Sequence, residues 1–207
     1  YARELHYPYF AHGLQGVVDL VDHKLYGILN GIDVNDYDPS KDPQIYSNYD
    51  PYHLGGKETC KAELQKELGL TVDPTVPLVG IISRLSNQKG FDLIDCVMDE
   101  LCQDAVQIVV LGTGDERYEN MFRHFAWKYP DKVSAQIYYS EPMSHKIYAS
   151  CDAFLMPSLF EPCGLSQLMS LRYGTVPIVR ETGGLKDTVE AYNEYEKTGT
   201  GFSFTNY

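Results

Sequence analysis

Short apolar runs and amphipathic patterns alternate along the second half of the chain. Six runs have the continuous apolar character of strands buried on both faces, the last weaker than the others, and they cover residues 78–82, 106–111, 133–139, 153–156, 176–179 and 202–204. Between them, apolar residues recur with helical spacing, as they do from Ile94 to Leu101 and from Tyr118 to Phe125. Such alternation is typical of a parallel sheet with helices on both faces, so we predict an α/β fold with a doubly wound, mostly parallel sheet. Pro177, in the fifth run, favours a strand start or a sheet edge.

The first quarter of the chain is patterned more weakly. Residues 14–21 are compatible with a short helix and residues 25–29 with a short strand. Residues 30–54 contain one Asn-Gly and three Asp-Pro pairs, which are turn signals, and only scattered apolar side chains. A helical pattern resumes near Lys57 and ends at Gly69, a residue type suited to the position after a helix. We therefore expect an extended connector that leads into the α/β domain.

The composition limits the function classes that need to be considered. The 207 residues carry 17 Lys and Arg against 29 Asp and Glu, a net charge of −12, so nonspecific binding to nucleic acid or to an anionic membrane is not expected. No apolar stretch approaches the roughly 20 residues that a membrane-spanning helix needs. Five cysteines, an odd number without a C-x-x-C pair, predict reduced thiols in a cytosol-like compartment. The chain starts with Tyr1 and not with Met, and we interpret it as a fragment of a longer protein.

The loop after the first strong strand is cationic. Ligands of open parallel sheets bind beyond the carboxyl ends of the strands, so this loop lies where a ligand is expected. It reads SRLSNQKG and places Arg84 and Lys89 before a helix. A guanidinium and an ammonium both suit phosphate oxygens, and a bound anion would offset the unfavourable placement of cations at a helix N-terminus. The pattern indicates a phosphate site, with a solvated loop carrying two surface charges as the alternative.

The loop after the fourth strand combines an acidic side chain with the start of a helix. Glu161 precedes Pro162, which favours extended backbone at the glutamate. The helix is expected to open with Cys163, Gly164, Leu165 and Ser166. Its free amides can bind phosphate and Glu161 can accept hydrogen bonds from sugar hydroxyls, although a simple interaction of Glu161 with the helix dipole is equally compatible. Cys163 has no histidine nearby in sequence, which favours a small packed thiol over a nucleophile.

Two further loops carry weaker signals. The Gly183–Gly184 pair follows the fifth strand and allows either close approach of a ligand or a simple turn. Tyr138 and Tyr139, at the end of the third predicted strand, can form an aromatic platform for a base or can pack in the interior.

Several familiar motifs are incomplete or misplaced. After the second strand, Gly112 and Gly114 are followed by Arg117 where a dinucleotide-binding fingerprint needs a third glycine, and no P-loop sequence is present. The triplet at residues 36–38, Asp-Tyr-Asp, matches a divalent-metal motif but lies in the connector, and we interpret it as turn chemistry. The six histidines show no paired ligand spacing, so we expect neither a metal site nor a cofactor.

Taken together, the motifs resemble those of one enzyme family. NGID at residues 30–33, ISRLSNQKG, LGTGD, FEPCGLSQL, YGTVPIVR and TGGLKDTV occur in the order found in the C-terminal half of bacterial glycogen synthases and plant starch synthases. The resemblance covers nearly the whole chain. It implies a GT-B architecture, in which two Rossmann-like domains face each other across a cleft, with this chain as the C-terminal one. It also implies transfer of glucose, with retention, from ADP-glucose to the non-reducing end of an α-1,4-glucan.

The resemblance further implies catalytic roles for three residues. Arg84 and Lys89 take the positions of the cations that hold the diphosphate, and Glu161 that of the acidic residue that contacts the donor glucose. Asn30 falls near the sugar at the hinge, and Tyr139 near the adenine. The complete set of expected substrate-binding residues is Asn30, Tyr139, Cys163, Gly164, Leu165, Ser166, Gly183 and Gly184. Met169 stands where related transferases carry a second glutamate, so the E-x7-E pattern of those enzymes is only half matched.

The same family pattern divides the chain into three parts and implies its partners. Residues 1–30 would be the tail of the N-terminal domain and the hinge, residues 31–56 the connector, and residues 57–207 the nucleotide-sugar-binding domain, truncated at its C-terminus. The expected partners are ADP-glucose, the glucan acceptor and the missing N-terminal domain, in the cytoplasm or, for a plant protein, in the plastid stroma. We expect the fragment to fold but to be inactive alone.

Three other functions remain as alternatives. A related retaining GT-B enzyme could use UDP-glucose, as sucrose synthase does. A stand-alone nucleotide- or glucan-binding module would perform no chemistry. An NAD-dependent oxidoreductase is disfavoured by the broken glycine fingerprint.

Overall fold

The computed structural model describes residues 1–207, and its central element is one six-stranded sheet. The strands are β1 (Leu78–Ile82), β2 (Gln107–Leu111), β3 (Val133–Gln136), β4 (Ala153–Met156), β5 (Val176–Arg180) and β6 (Phe202–Phe204). Their order is β3-β2-β1-β4-β5-β6, and all neighbouring pairs are parallel. This order defines a doubly wound, Rossmann-like sheet, so the predicted α/β class is confirmed.

Helices precede the sheet and connect its strands. They are α1 (Pro8–Ala11), α2 (Gln15–Val21), α3 (Gly55–Glu67), α4 (Phe91–Leu101), α5 (Glu116–Lys128), α6 (Glu141–Ser150), α7 (Ser166–Arg172) and α8 (Gly183–Thr188). The helices predicted near residues 14–21, from Lys57 and around the two amphipathic patterns are confirmed by α2, α3, α4 and α5. None of the helices combines the length and the apolar character needed to cross a bilayer.

The core lies on both faces of the sheet. All five residues of β2 are buried, and they alternate between the two sides. Val110 belongs to a cluster with Phe91 of α4 and Phe122 of α5, whereas Val109 belongs to a cluster with Leu64 of α3. A strand that is covered on both faces has to be apolar throughout, which is why its sequence is a continuous hydrophobic run.

Two of the strand predictions are wrong. Residues 25–29 form no strand; Tyr26 and Ile28 are 81% and 88% exposed, and no strand pairs with this segment. The strand predicted over residues 133–139 ends at Gln136, where its partner β2 ends at Leu111. In both cases a run forms a strand only where a neighbouring strand pairs with it, and a short apolar run does not reveal whether such a partner exists.

Pro177 is the second residue of β5, which is paired on both sides. The register with β6 begins at Ile178, immediately after the proline. The prediction of a strand start is therefore confirmed, and the alternative of a sheet edge is wrong.

Between Leu25 and Leu54 the chain contains neither helix nor strand, and aspartates build the turns of the connector. The carboxylate of Asp38 accepts hydrogen bonds from the amide and the hydroxyl of Ser40, at 3.0 and 2.8 Å, which confirms the interpretation of the Asp-Tyr-Asp triplet as turn chemistry. The segment is nevertheless packed against the domain. Tyr49 is buried, and its hydroxyl donates to the carbonyl oxygen of Tyr173 at 2.8 Å.

The strand order reverses between β1 and β4, which are neighbours in the sheet although β2 and β3 separate them in the chain. The loops that follow these two strands therefore leave the same edge of the sheet, on either side of a crevice. They carry Arg84, Lys89 and Glu161.

Candidate functional site

The loop between β1 and α4 is anchored by Leu85, which is fully buried. The amide of Leu85 donates to the carbonyl oxygen of Thr113 at 2.9 Å, and its own carbonyl accepts from the amide of Asp115 at 2.7 Å. Gly114 permits this approach, since a Cβ there would lie 2.2 Å from the Leu85 carbonyl oxygen. The G-x-G sequence after β2 thus serves to pack one loop against the other, and it leaves Arg84 exposed beside the crevice.

Lys89 and Glu161 join the loop after β1 to the loop after β4. The Lys89 Nζ donates to Glu161 Oε2 at 2.5 Å, and both side chains are largely buried. Two further hydrogen bonds join the same loops: the amide of Leu159 donates to the Gln88 carbonyl at 2.9 Å, and the Gln88 side chain donates to the Phe160 carbonyl at 3.2 Å. The two loops therefore form one unit, with an ion pair at its centre.

The backbone at Glu161 is held by the start of α8. The Glu161 carbonyl oxygen accepts a hydrogen bond from the amide of Gly184 at 2.9 Å. A Cβ at Gly183, where φ is +45°, would lie 2.1 Å from the same oxygen. The glycine pair therefore allows the Glu161 turn to pack closely, and neither glycine lines the cavities described next.

Two adjoining cavities open at this edge of the sheet. The smaller one, about 230 Å³, contains both predicted cations in its lining, and we call it the cationic cavity. The larger one, about 410 Å³, is the tyrosine cavity, named for Tyr37, Tyr138, Tyr139 and Tyr148 in its lining. Four residues border both cavities: Ile82, Ser83, Arg84 and Ser166. The predicted residues Arg84, Lys89, Ser166 and Tyr139 are thus brought together around two adjoining cavities.

The helix after Glu161 begins at Ser166, so the prediction that it opens at Cys163 is wrong. Cys163, Gly164 and Leu165 form a turn in which Gly164 has φ +71°, a left-handed conformation that a helix cannot continue. Ser166, the first helical residue, lines both cavities, and its backbone amide has no partner within the helix.

Asn30 and Cys163 meet beside this turn. The Asn30 amide donates to the Cys163 Sγ at 3.3 Å, and Cys163 is half-buried. Neither residue lines the two cavities, and the same holds for Gly164 and Leu165. Their predicted contacts with substrate remain predictions.

Four tyrosines line the tyrosine cavity, and the side chain of one of them, Tyr139, is 86% exposed. Burial is the main cause that raises the pKa of Tyr37, of Tyr138 and of Tyr148. For Tyr37, the negative charge of Glu141 is the next cause. At neutral pH these hydroxyls are therefore neutral hydrogen-bonding groups. No group of three or more His, Cys, Asp or Glu side chains is arranged to hold a metal ion.

Several lining residues were not identified from sequence. These include Tyr37, Glu141, Ser144 and Tyr148. Ser144 and Tyr148 stand four residues apart on α6 and so share a helix face, a spacing that is visible in the sequence. Nothing in the sequence indicates that this face turns toward the crevice. Met169 places an apolar side chain in the cavity where related transferases carry a second glutamate.

A model of a known protein family matches most of this chain. The model for the family described as glycosyl transferases group 1 matches residues 65–207. The chain belongs to this family.

Two curated relatives and one solved structure show which members of the family resemble this chain. The chain is 64% identical over 208 residues to the glycogen synthase of Lachnospira eligens, covering 100% of this chain and 44% of the relative. It is 53% identical over 207 residues to the glycogen synthase of Clostridium acetobutylicum, covering 100% of this chain and 43% of the relative. Among solved structures, the catalytic domain of starch synthase IV from Arabidopsis thaliana bound to ADP and acarbose matches with a TM-score of 0.91 and 37% identity, over 99% of this chain and 43% of that chain. The chain thus spans less than half the length of these relatives.

Proposed function

We propose that the chain is the donor-nucleotide half of a glycogen synthase, or of a starch synthase if its source is a plant. The complete enzyme would transfer glucose from ADP-glucose to the non-reducing end of an α-1,4-glucan, with retention at the anomeric carbon. The observation that supports this most strongly is that Arg84 and Lys89 line one cavity at the crevice between β1 and β4, with Glu161 paired to Lys89 behind it. The 64% identity to a glycogen synthase supports the choice of reaction.

The diphosphate of the donor belongs in the cationic cavity. Arg84 offers a planar fork of donors and Lys89 a compact charge, and the first amides of α7 lie beside them at Ser166. Negative charge develops on the departing nucleoside diphosphate during glucose transfer. Fixed donors aimed at that charge lower the barrier, and removal of one such donor typically costs about 3–4 kcal/mol of transition-state stabilisation.

The glucose of the donor belongs on the Glu161 side of the diphosphate. Glu161 is 8% exposed, and its carboxylate accepts a hydrogen bond from the ammonium of Lys89. Its carboxylate oxygens can accept hydrogen bonds from sugar hydroxyls, which would orient the glucose toward the acceptor. The nucleoside then extends to the opposite side of Arg84, into the tyrosine cavity.

The acceptor site belongs to the part of the enzyme outside this chain. The relatives are more than twice as long, since the chain covers 44% of the first of them. We expect the chain to bind nucleotide but not to elongate glucan, because the contacts that position the acceptor would come from the other half. A cytoplasmic location, or the plastid stroma in a plant, is part of this proposal and agrees with the five free cysteines.

Calorimetric titration of the chain with ADP, UDP and pyrophosphate tests the proposal. ADP should bind, pyrophosphate should compete with it, and UDP should bind more weakly. Equal or tighter binding of UDP would favour a UDP-glucose transferase, and absence of binding for all three would overturn the donor site. Elongation of glycogen by the chain alone, at a rate comparable with a complete enzyme, would contradict its assignment as an inactive half.

A further inference from the structure

Tyr37 reaches the tyrosine cavity from the connector, about a hundred positions before Tyr138 and Tyr139. Its ring stacks on the imidazole of His145, with centroids 4.8 Å apart and planes inclined by 13°. Because one face of the ring rests on His145, the opposite face and the edge are what the ring can present to the cavity. The side chain is half-buried, so this surface is already partly shielded from water.

The imidazole beneath Tyr37 is fixed by a buried cluster. His145 is 2% exposed, and its Nδ1 lies 2.7 Å from Oδ2 of Asp42, whose side chain is fully buried. The hydroxyl of Tyr173 donates to the same oxygen at 2.5 Å. Asp42 lies only five positions after Tyr37, so the connector supplies both the ring and the carboxylate that holds its support.

The backbone of Tyr37 is fixed as well. Its amide donates to the carbonyl oxygen of Asp33 at 3.0 Å, and its carbonyl accepts from the Arg172 Nε at 3.0 Å. A ring held in this way loses little conformational freedom when a ligand contacts it, and such preorganisation favours binding.

We propose that Tyr37 forms a wall of the nucleoside subsite and contributes to affinity for the base of the donor. This inference rests on the proposed function and adds a residue to its nucleotide site. Arg84 borders both cavities, so a diphosphate beside it has the Lys89–Glu161 pair on one side and the tyrosine cavity on the other. Glucose and nucleoside are attached to opposite ends of the diphosphate. With glucose at Glu161, the base lies among the tyrosines, where aromatic rings favour a planar π system.

The test compares two ligands that differ by the nucleoside. ADP and pyrophosphate are titrated calorimetrically into the full chain and into Tyr37→Ala, Tyr37→Leu and Tyr37→Phe. Loss of the aromatic ring should raise the Kd for ADP by about fivefold or more in the Ala and Leu variants. The Kd for pyrophosphate in these variants should stay within roughly twofold of that of the unsubstituted chain. Tyr37→Phe keeps the ring, so its Kd for ADP should stay within the same margin.

A matched control lies in the same connector. Tyr52 is 90% exposed and lines neither cavity, so Tyr52→Ala should leave both affinities unchanged. Unchanged ADP affinity in folded Tyr37→Ala or Tyr37→Leu would overturn the inference, as would an equal loss of pyrophosphate affinity. Failure of the unsubstituted chain to bind ADP would overturn the donor site itself, and this outcome is distinct from a failure confined to Tyr37.

Discussion

The ammonium of Lys89 lies 2.5 Å from Oε2 of Glu161. The cation assigned to the diphosphate is therefore paired with the acid assigned to the glucose. Each largely buried charge compensates the other, which avoids the cost of an unpaired buried ion. When a nucleotide sugar binds, Lys89 has to contact a phosphate and Glu161 a sugar hydroxyl, so the two residues have to give up their pairing. The effects of the two residues on donor binding should consequently be coupled and not additive.

The first prediction concerns the two cations. Arg84→Ala and Lys89→Ala should each weaken ADP binding by about 1.5–3 kcal/mol, the usual size for a hydrogen bond to a charged group. Calorimetric titration measures this directly. Lys66 of α3 is 73% exposed and lines neither cavity, so Lys66→Ala should leave the Kd unchanged. An unchanged Kd in both cavity variants would remove the phosphate assignment.

The second prediction separates binding from turnover at Glu161. Glu161→Gln frees the ammonium of Lys89 from its carboxylate partner, so ADP should bind at least as tightly as before. In the complete enzyme, the same substitution should lower glucose transfer by orders of magnitude, because the sugar loses a charged acceptor. Glu63→Gln, at an exposed position of α3, is the matched control. Retention of normal turnover in Glu161→Gln would show that the carboxylate does not act on the donor.

The third prediction concerns the buried cluster below Tyr37. Tyr173→Phe removes the hydroxyl that donates to Asp42 and leaves His145 as the nearest partner of that carboxylate. The free energy of unfolding should fall by about 1.5–3 kcal/mol in urea denaturation. Tyr192→Phe, at a side chain that is 44% exposed, should change it by less than about 0.5 kcal/mol. Equal stabilities of the two variants would mean that the hydroxyl contributes nothing to the cluster.

The fourth prediction concerns how one buried thiol makes the free energy of unfolding depend on pH. All five cysteines are free, as the odd count and the absent C-x-x-C pair predict. Cys151 is fully buried, and burial raises its pKa from 9.0 to about 12. Between these values the unfolded chain releases the proton and the folded chain keeps it. Stability is therefore present below pH 9 and lost as the pH rises toward 12, by at most about 1.4 kcal/mol per pH unit.

Urea denaturation of the wild type and of Cys151→Ala at several pH values isolates this contribution from that of the tyrosines. The variant lacks the thiol, so the stability difference between the two proteins should be constant below pH 9 and should shrink above it. A difference that stays constant up to about pH 10.5 would contradict the raised pKa.

The sheet was largely predictable because its strands are buried on both faces. A strand such as β2 has to be apolar at all five positions, and that pattern is visible in a single sequence. The failures at residues 25–29 and 137–139 have one cause. An apolar run becomes a strand only beside a partner, and pairing joins residues that are distant along the chain.

The candidate site was predictable in its loops but not in its contacts. Arg84, Lys89 and Glu161 follow the two strands that flank the switch point, and motif order was enough to select them. The stacking of Tyr37 on His145 depends on how the connector folds back onto α6, which no local pattern encodes. The start of α7 was misplaced because Gly164 adopts a left-handed conformation, and the sequence allowed a helical one as well.

A crystal structure of the chain with ADP tests the central claim most directly. The account predicts the diphosphate within hydrogen-bonding distance of the Arg84 guanidinium, the Lys89 ammonium and the amide of Ser166, with the adenine among the tyrosines of the larger cavity. Nucleotide bound elsewhere, or a site that remains empty at saturating ADP, would contradict it.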